Sequence, residues 1–344
     1  MTLLGESRCK ESHYVETPCI DLAEDNCVTL MKLPMLDVHE VLAYVHDVAK
    51  LRSPKSHIEF YWSWGQKFGA QWSRLGGPSV IPCGLYADET KYGGPFSQEK
   101  VLGIFLNLVL HRPRSIRYSR FCIFSVRSAL MLGTRTLYPI FRRIVWGFHL
   151  AYKGVRPDGS ALCSDGATFL CTELRGDLAW HKMIWNFKNV GWQAKDVCWF
   201  CKARSEGHMH YTEFGEGASW VPTIYQDTWA WAAETLPMDN LCPFLALPGF
   251  CVETIRLCSM HNVNLGILQV CNGSALILRV LVYAWIRNIF LFPSYIDRWN
   301  AIQYFMIMGP ENNVQTTKHF PRGTLLDQGL VWSRLCCMET PMTA

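Results

Sequence analysis

Apolar residues recur at helical spacing in several parts of the chain. In residues 136–153 the recurrence marks one buried helix face, and Pro139 falls in the first turn, where a missing amide donor costs little. Residues 34–51 show a similar period, with Asp37 as the expected N-cap and Glu40 three positions later. Residues 57–75 are rich in aromatic side chains and predict a further helix.

Short apolar runs bounded by glycine, proline or polar residues predict strands. They cover 80–87, 101–110, 119–126 and, after the helix at 136–153, 167–174. The first three have short connections and predict an antiparallel meander. Because a crossover through a helix is right-handed, the fourth strand is expected to lie parallel beside the first. This order is that of the opening of a ribonuclease-H-like fold, an α+β or α/β mixed sheet with flanking helices.

Two of the predicted strands run into carboxylates. Asp88 follows the first and Asp177 follows the fourth. If the two strands are neighbours, both acids reach the same edge of the sheet. Hard oxygen ligands there suit Mg²⁺, which supports phosphoryl transfer on nucleic acid. The alternative is that each acid is an ordinary residue of the turn that follows a strand.

The composition fits a folded intracellular chain. Of its 344 residues, 49% are apolar and 18% charged, which is enough to build a core. No apolar signal segment is found among the first 30 residues, and the 15 cysteines do not show the spacing of a disulfide-bonded secreted domain. We therefore expect a nuclear or cytoplasmic protein rather than a secreted one.

Charge is distributed unevenly. Residues 100–157 contain eleven Lys or Arg and no Asp or Glu, whereas the rest of the chain has more acids than bases. A block of one sign within a folding segment indicates a polyanion partner such as DNA, although basic side chains also protect exposed strands and helix faces. No small-molecule site is apparent. The candidate phosphate-binding residues are Arg112, Arg114, Arg117, Arg120, Arg142 and Arg143.

A Cys-x-x-Cys pair, Cys198 and Cys201, is half of a zinc site. His208 and His210 are the nearest further ligands in sequence, and other cysteines (Cys163, Cys171 and Cys242) are alternatives. The pair could also be two reduced core cysteines. A redox dithiol is less favoured, because no thioredoxin-like context surrounds it.

The same patterns divide the chain. We expect a loosely ordered N-terminal arm (1–33), a helical region (34–78), the ribonuclease-H-like core (79–192), a helical insertion bearing the Cys-x-x-Cys pair (193–308) and an irregular tail (309–344). The apolar run 274–292 is nearly long enough to span a membrane. Arg279 and Arg287 lie within it, and each would cost about 2.5–3.5 kcal/mol on insertion. A buried helix is therefore favoured over a membrane anchor.

Three segments together resemble DDE transposases of the CACTA and plavaka type, over roughly residues 33–304. They are GLYADETKYG, then LRGDLAWHKMIWNFKNVGW leading to CWFC, then CSMHNVNLGILQV. The resemblance implies a ribonuclease-H-like catalytic core interrupted by a zinc-bearing insertion, with DNA strand cleavage and transfer that depend on Mg²⁺. It matches Asp88 and Asp177 to the first two catalytic carboxylates, Cys198 and Cys201 to the family's cysteine pair, and His261 to the histidine of an acidic-x-Met-His motif.

The chain departs from that family pattern in ways that bear on activity. Cys258 stands where the motif begins with an acid, and the third catalytic carboxylate has no counterpart that the sequence identifies. The chain also stops soon after the apolar segment. A metal site that lacks a ligand loses charge and geometry together. We therefore expect a truncated transposon-derived protein with impaired or lost catalysis. A non-catalytic nucleic-acid-binding protein and a membrane-associated protein are the alternatives.

Overall fold

The structure is a computed structural model. It describes residues 13–23, 26–93, 98–111, 113, 119–188, 190, 194–213, 215 and 217–258. The chain divides into two units, Met1–Arg256 and Leu257–Ala344. The structure does not describe His261, the apolar run 274–292 or the tail 309–344.

A seven-stranded mixed sheet organises the described residues, and the fold is therefore mixed α and β as expected. The order across the sheet is β1-β2-β5-β4-β3-β6-β7. The strands are β1 (His13–Asp21), β2 (Cys27–Met35), β3 (Val80–Lys91), β4 (Lys100–Leu108), β5 (Arg120–Arg127), β6 (Thr168–Gly176) and β7 (Ile255–Leu257). The helices are α1 (Val38–Ala43), α2 (Lys55–Lys67), α3 (Thr134–Lys153), α4 (Leu178–Trp185) and α5 (Thr228–Thr235).

The predicted connectivity of the central strands is confirmed. β3 pairs antiparallel with β4, and β4 with β5, so these strands form a meander. After α3 the chain returns as β6, which lies parallel to β3 from the pair Val80 and Thr168 onward. The register shifts after Cys83, and at that point Gly84 lies so close to β6 that an added Cβ would be 3.1 Å from the Glu173 backbone oxygen. A larger residue at Gly84 would therefore push β6 away.

The helix predictions also locate real helices. On α3 one face is fully buried, and Phe141 from that face stacks on Phe244 with the ring centroids 4.3 Å apart. α2 ends where Gly69 takes a left-handed φ of 67°, and a short 3₁₀ turn, Gln71–Ser73, follows it. α1 continues into a π-helical turn, Tyr44–Val48. The part of the chain that the structure describes holds no helix that is long and apolar enough to cross a membrane.

The expectation of a loosely ordered arm at residues 1–33 is wrong for the part of it that is described. Residues of β1 and β2 pair along their whole length, from His13 with Met35 to Asp21 with Cys27. The sequence pattern does not indicate this hairpin, because a polar residue, Thr17, occupies an inward position where an apolar one is expected. Its hydroxyl donates to the Thr136 backbone oxygen at 2.6 Å, and the Thr136 hydroxyl donates to Pro18 O at 2.5 Å. These bonds satisfy the polar groups that the core would otherwise exclude.

Asp37 has a different role from the one expected. It does occupy the N-cap position of α1, but its side chain makes no capping hydrogen bond. The buried carboxylate instead accepts two hydrogen bonds from the Arg143 guanidinium of α3, at 2.7 and 2.6 Å. His13 Nε2 lies 3.1 Å from the same carboxylate. The carboxylate of Asp37 thus binds Arg143 instead of capping the helix, and this ion pair connects the start of α1 to α3.

Candidate functional site

The two predicted carboxylates come to neighbouring places at one end of the sheet. In the parallel pair formed by β3 and β6, Tyr86 lies opposite Arg175. Two residues further on, Asp88 still lies within β3, opposite Gly103 of β4, whereas Asp177 directly follows the last residue of β6. The strand order and the register therefore place two residues that are 89 positions apart in the sequence on, or directly after, neighbouring parallel strands.

Tyr86 orients the first carboxylate. Because side chains alternate along a strand, Tyr86 and Asp88 lie on the same face of β3. The Tyr86 hydroxyl donates to Asp88 Oδ2 at 2.5 Å. The Tyr86 ring packs against the Arg120 guanidinium of β5, whose carbon lies 4.0 Å from the ring centroid. The cation held over the ring places positive charge beside Tyr86.

Asp177 begins the helix that follows β6. It is the N-cap of α4, and its Oδ1 accepts a hydrogen bond from the Trp180 amide at 2.6 Å. The indole of Trp180 turns back over Gly176, where an added Cβ would lie 2.1 Å from the ring. Glycine at 176 therefore lets the strand turn sharply into the helix. The turn-residue alternative for Asp177 is real, since an N-cap is a structural role for the same carboxylate.

A third carboxylate lies on the same face of β6, but it is already neutralised. Glu173 is buried and precedes Asp177 by four residues. Arg175 binds it with both ends of the guanidinium, Nε to Oε2 at 2.7 Å and one terminal nitrogen to Oε1 at 2.9 Å. Among the described residues, neither Asp88 nor Asp177 belongs to a group of three ligand atoms close enough to share one ion.

Such a group does occur elsewhere, at residues that no sequence pattern singles out. His46 and Asp47 come from the π-helical turn, and Asp165 comes from the loop before β6; their ligand atoms all lie within 4.8 Å of one another. His46 Nε2 is 2.9 Å from Asp165 Oδ2, and this contact lowers the pKa of Asp165. Arg52 lies 3.5 Å from each of the two carboxylates. The guanidinium already supplies the positive charge, so the cluster is explained as an ion-pair network that holds the loop to the turn.

Cys198 and Cys201 lie close together in one turn as free cysteines, but the expected zinc ligands do not lie beside them. The Phe200 amide donates to Cys198 Sγ at 3.2 Å, and hydrogen bonding from the Cys201 thiol lowers the pKa of Cys198. His210 Nδ1 is instead 2.6 Å from the Thr212 hydroxyl, and its ring stacks on Tyr211. His208 is exposed. In the described ranges no third ligand atom reaches the two sulfurs.

The candidate phosphate-binding arginines divide into three kinds. Arg112, Arg114 and Arg117 lie outside the described residues. Arg143 is bound by Asp37 and packs over Trp146, so its charge is already neutralised and the expectation that it binds phosphate is not retained. Arg142 is exposed, and Arg120 lies over Tyr86.

The solvent face of α3 carries a basic stripe. Arg135, Arg142 and Lys153 are exposed and recur at intervals of seven and eleven residues, which places them along one side of the helix. His149 lies on the same side. No acid occurs in α3, and no carboxylate of the described residues forms an ion pair with these three side chains. The stripe is thus a surface of positive charge that no described carboxylate neutralises.

Comparisons with protein-family models, with curated proteins and with solved structures each found no match.

Proposed function

We propose that this chain is derived from a DDE transposase with a ribonuclease-H-like core, whose ancestral activity was Mg²⁺-dependent DNA strand cleavage and transfer. The observation that carries the proposal is the placement of Asp88 and Asp177. Asp88 lies on β3 and Asp177 directly follows β6, the parallel neighbour of β3, which the chain reaches after a three-strand meander and a helical crossover. The motif resemblance assigns its first two catalytic acids to the same two residues.

Asp88 and Asp177 are the residues that would hold a divalent ion, because both offer carboxylate oxygens of the kind that Mg²⁺ prefers. When bound, the ion would stabilise charge on the oxygens of a reacting phosphodiester. The hydroxyl of Tyr86 fixes the orientation of Asp88 through its hydrogen bond at 2.5 Å. The guanidinium of Arg120 adds positive charge that favours a phosphate backbone nearby.

Impaired catalysis is part of the proposal. Two carboxylates give a weaker and less directed metal site than three. Glu173 is the nearest further acid on the same face of β6, but Arg175 neutralises it with two hydrogen bonds. At the position where the family motif has an acid, this chain has Cys258. We therefore propose weak strand nicking at most, rather than efficient transposition.

The test measures nicking of a supercoiled plasmid by the purified chain in Mg²⁺ or Mn²⁺, with the double variant Asp88→Asn, Asp177→Asn as the comparison. Asparagine keeps the shape and the capping function, because Asn and Asp are equally good N-caps. The change removes the charge and leaves α4 capped. We expect metal-dependent nicking to fall at least tenfold, as one lost metal ligand typically costs about that much or more.

The control is the circular-dichroism melting curve of the double variant, which should match that of the unchanged protein. Nicking that persists in the double variant would show a contaminating nuclease and overturn the enzymatic part of the proposal. Complete inactivity of the unchanged protein would favour a second function, non-catalytic binding of nucleic acid. The unneutralised basic stripe of α3 supports that alternative.

A further inference from the structure

The turn that carries Cys198 and Cys201 is closed by hydrogen bonds on both sides. The Val197 amide donates to Ala203 O at 3.1 Å, so the chain turns back on itself around the two cysteines. The Lys202 amide donates to the Thr223 hydroxyl at 3.0 Å. The two thiols are therefore held in one tight turn.

The two residues between the cysteines anchor this turn in the core. The Trp199 ring stacks on Phe187, with centroids 5.4 Å apart and an interplanar angle of 6°. The Trp199 carbonyl accepts a hydrogen bond from the indole of Trp231 at 2.8 Å, and the Phe200 carbonyl accepts one from the Tyr225 amide at 3.2 Å. With both intervening residues fixed, the sulfurs cannot drift apart without disrupting aromatic packing.

The two sulfurs have different surroundings. Cys201 is buried, with 7% of its surface exposed, whereas Cys198 is only partly buried. Cys198 Sγ accepts the Phe200 amide hydrogen bond, which stabilises negative charge on that sulfur. A partly exposed cysteine whose sulfur accepts an amide hydrogen bond, beside a buried cysteine, is the arrangement of an attacking cysteine and a resolving cysteine.

We propose that Cys198 and Cys201 form a reversible dithiol–disulfide pair that reacts with low-molecular-weight disulfides. Cys198, as the thiolate, attacks one sulfur of glutathione disulfide, forms a mixed disulfide and releases one glutathione thiolate. Cys201 then attacks the Cys198 sulfur, closes the internal disulfide and expels the second glutathione. Two protein thiols are oxidised, one glutathione disulfide is reduced to two thiols, and the two thiol protons pass to the solvent or the released thiolates. The reverse sequence regenerates the dithiol.

The experiment treats the reduced full-length chain with glutathione disulfide and maps the cysteines by peptide mass spectrometry. We expect a disulfide between Cys198 and Cys201 in the unchanged protein. In Cys201→Ser the resolving thiol is absent, so a glutathione adduct should accumulate on Cys198. In Cys198→Ser the buried Cys201 should give roughly tenfold less adduct.

The matched control is Cys122→Ser, which removes an exposed cysteine of β5 and should leave the internal disulfide unaffected. Near-ultraviolet circular dichroism verifies that the serine variants keep their aromatic packing. Equal adducts on Cys198 and Cys201, or no internal disulfide, would overturn the proposal. So would a stoichiometric zinc ion in the reduced protein that blocks oxidation and is lost in both Cys198→Ser and Cys201→Ser, since that result would make the pair a structural metal site.

Discussion

Buried histidines impose the clearest electrostatic constraint at the scale of single residues. His181 of α4 is fully buried, and its Nε2 lies 3.0 Å from Arg256 O. His39 of α1 is buried with no hydrogen-bond partner in the described structure for either ring nitrogen. A charged imidazole in either place would lose its hydration without adequate compensation. Both side chains are therefore held in the neutral form.

The stability of the fold should fall in mild acid because of His181. Burial lowers the pKa of His181 from 6.5 to about 4. The unfolded chain binds this proton more readily than the folded one. The contribution of neutral His181 to the free energy of unfolding is therefore complete above pH ~6.5 and is lost as the pH falls towards 4. In urea unfolding we expect the unchanged protein to lose on the order of 3 kcal/mol more than His181→Gln over that window.

Glutamine can replace the hydrogen bond of His181 without titrating, which makes it the informative substitution. His149→Gln, at an exposed position of α3, serves as the control for replacing a histidine by glutamine. If the unfolding free energies of His181→Gln and the unchanged protein show the same pH dependence, His181 is not the group responsible.

Single residues also show how far the sequence predicts a site. The neighbouring strands that carry Asp88 and lead into Asp177 could be predicted, because both are apolar runs of strand length; a metal-binding role for the two acids stays a prediction. The contacts of Asp37 could not, because its position before a helix is equally typical of an N-cap. Its real partner, Arg143, is 106 residues away, and only the packing of α1 on α3 brings them together. The same holds for His46 and Asp165, which are 119 residues apart.

At the scale of elements, the pair Asp37–Arg143 is the main polar connection between α1 and α3. Arg143→Met would leave the Asp37 carboxylate buried without its guanidinium. Breaking a buried pair by removing one partner costs about 3–5 kcal/mol, and the lower end is expected because Arg143 is 31% exposed and His13 remains. Chemical denaturation measures the change in the free energy of unfolding.

The neighbouring change Arg142→Met is the matched control, since it removes an exposed charge and should shift stability by no more than about 0.5 kcal/mol. The double change Asp37→Asn, Arg143→Met removes both charges and should recover a large part of the loss. Equal unfolding free energies for Arg143→Met and Arg142→Met would mean that the ion pair does not hold these helices together.

Elements with a strong period were predicted well, and those with a polar residue at an inward position were not. α3 shows an uninterrupted apolar face, and β3 and β6 are apolar runs bounded by turn residues. β1 and β2 form a hairpin that the sequence pattern does not indicate, because the inward side chain of Thr17 is accommodated only through its hydrogen bond to α3. The pattern of apolar and polar side chains predicts which positions are buried, but it does not predict hydrogen bonds between distant elements.

At the scale of the whole molecule, chain order predicted the central sheet because few topologies satisfy short connections and a right-handed crossover. It did not predict that β2 joins the sheet beside β5, with Met35 opposite Phe124. Nor did it separate free basic residues from neutralised ones. Within the block 100–157, Arg143 is bound to a carboxylate, whereas Arg135, Arg142 and Lys153 form the exposed stripe of α3.

That stripe predicts how the affinity for DNA responds to salt. Each Lys or Arg that contacts a phosphate releases a counterion, and removing one reduces the slope of log K against log salt by about 1. The triple change Arg135→Gln, Arg142→Gln, Lys153→Gln should therefore make the slope less steep by roughly 3 and weaken binding at low salt. Fluorescence anisotropy with a labelled duplex over a range of NaCl concentrations gives both quantities.

A control with the same loss of charge separates specific contacts from the net charge of the protein. Lys55→Gln, Lys67→Gln, Lys188→Gln removes three exposed lysines away from α3. Net charge acts at long range and would affect both triple variants alike, whereas phosphate contacts act within a few ångströms. A change of slope confined to the α3 variant locates the DNA-binding face on that helix. Equal slopes for the two variants would show that attraction to DNA comes from overall charge and that the stripe is not the DNA-binding surface.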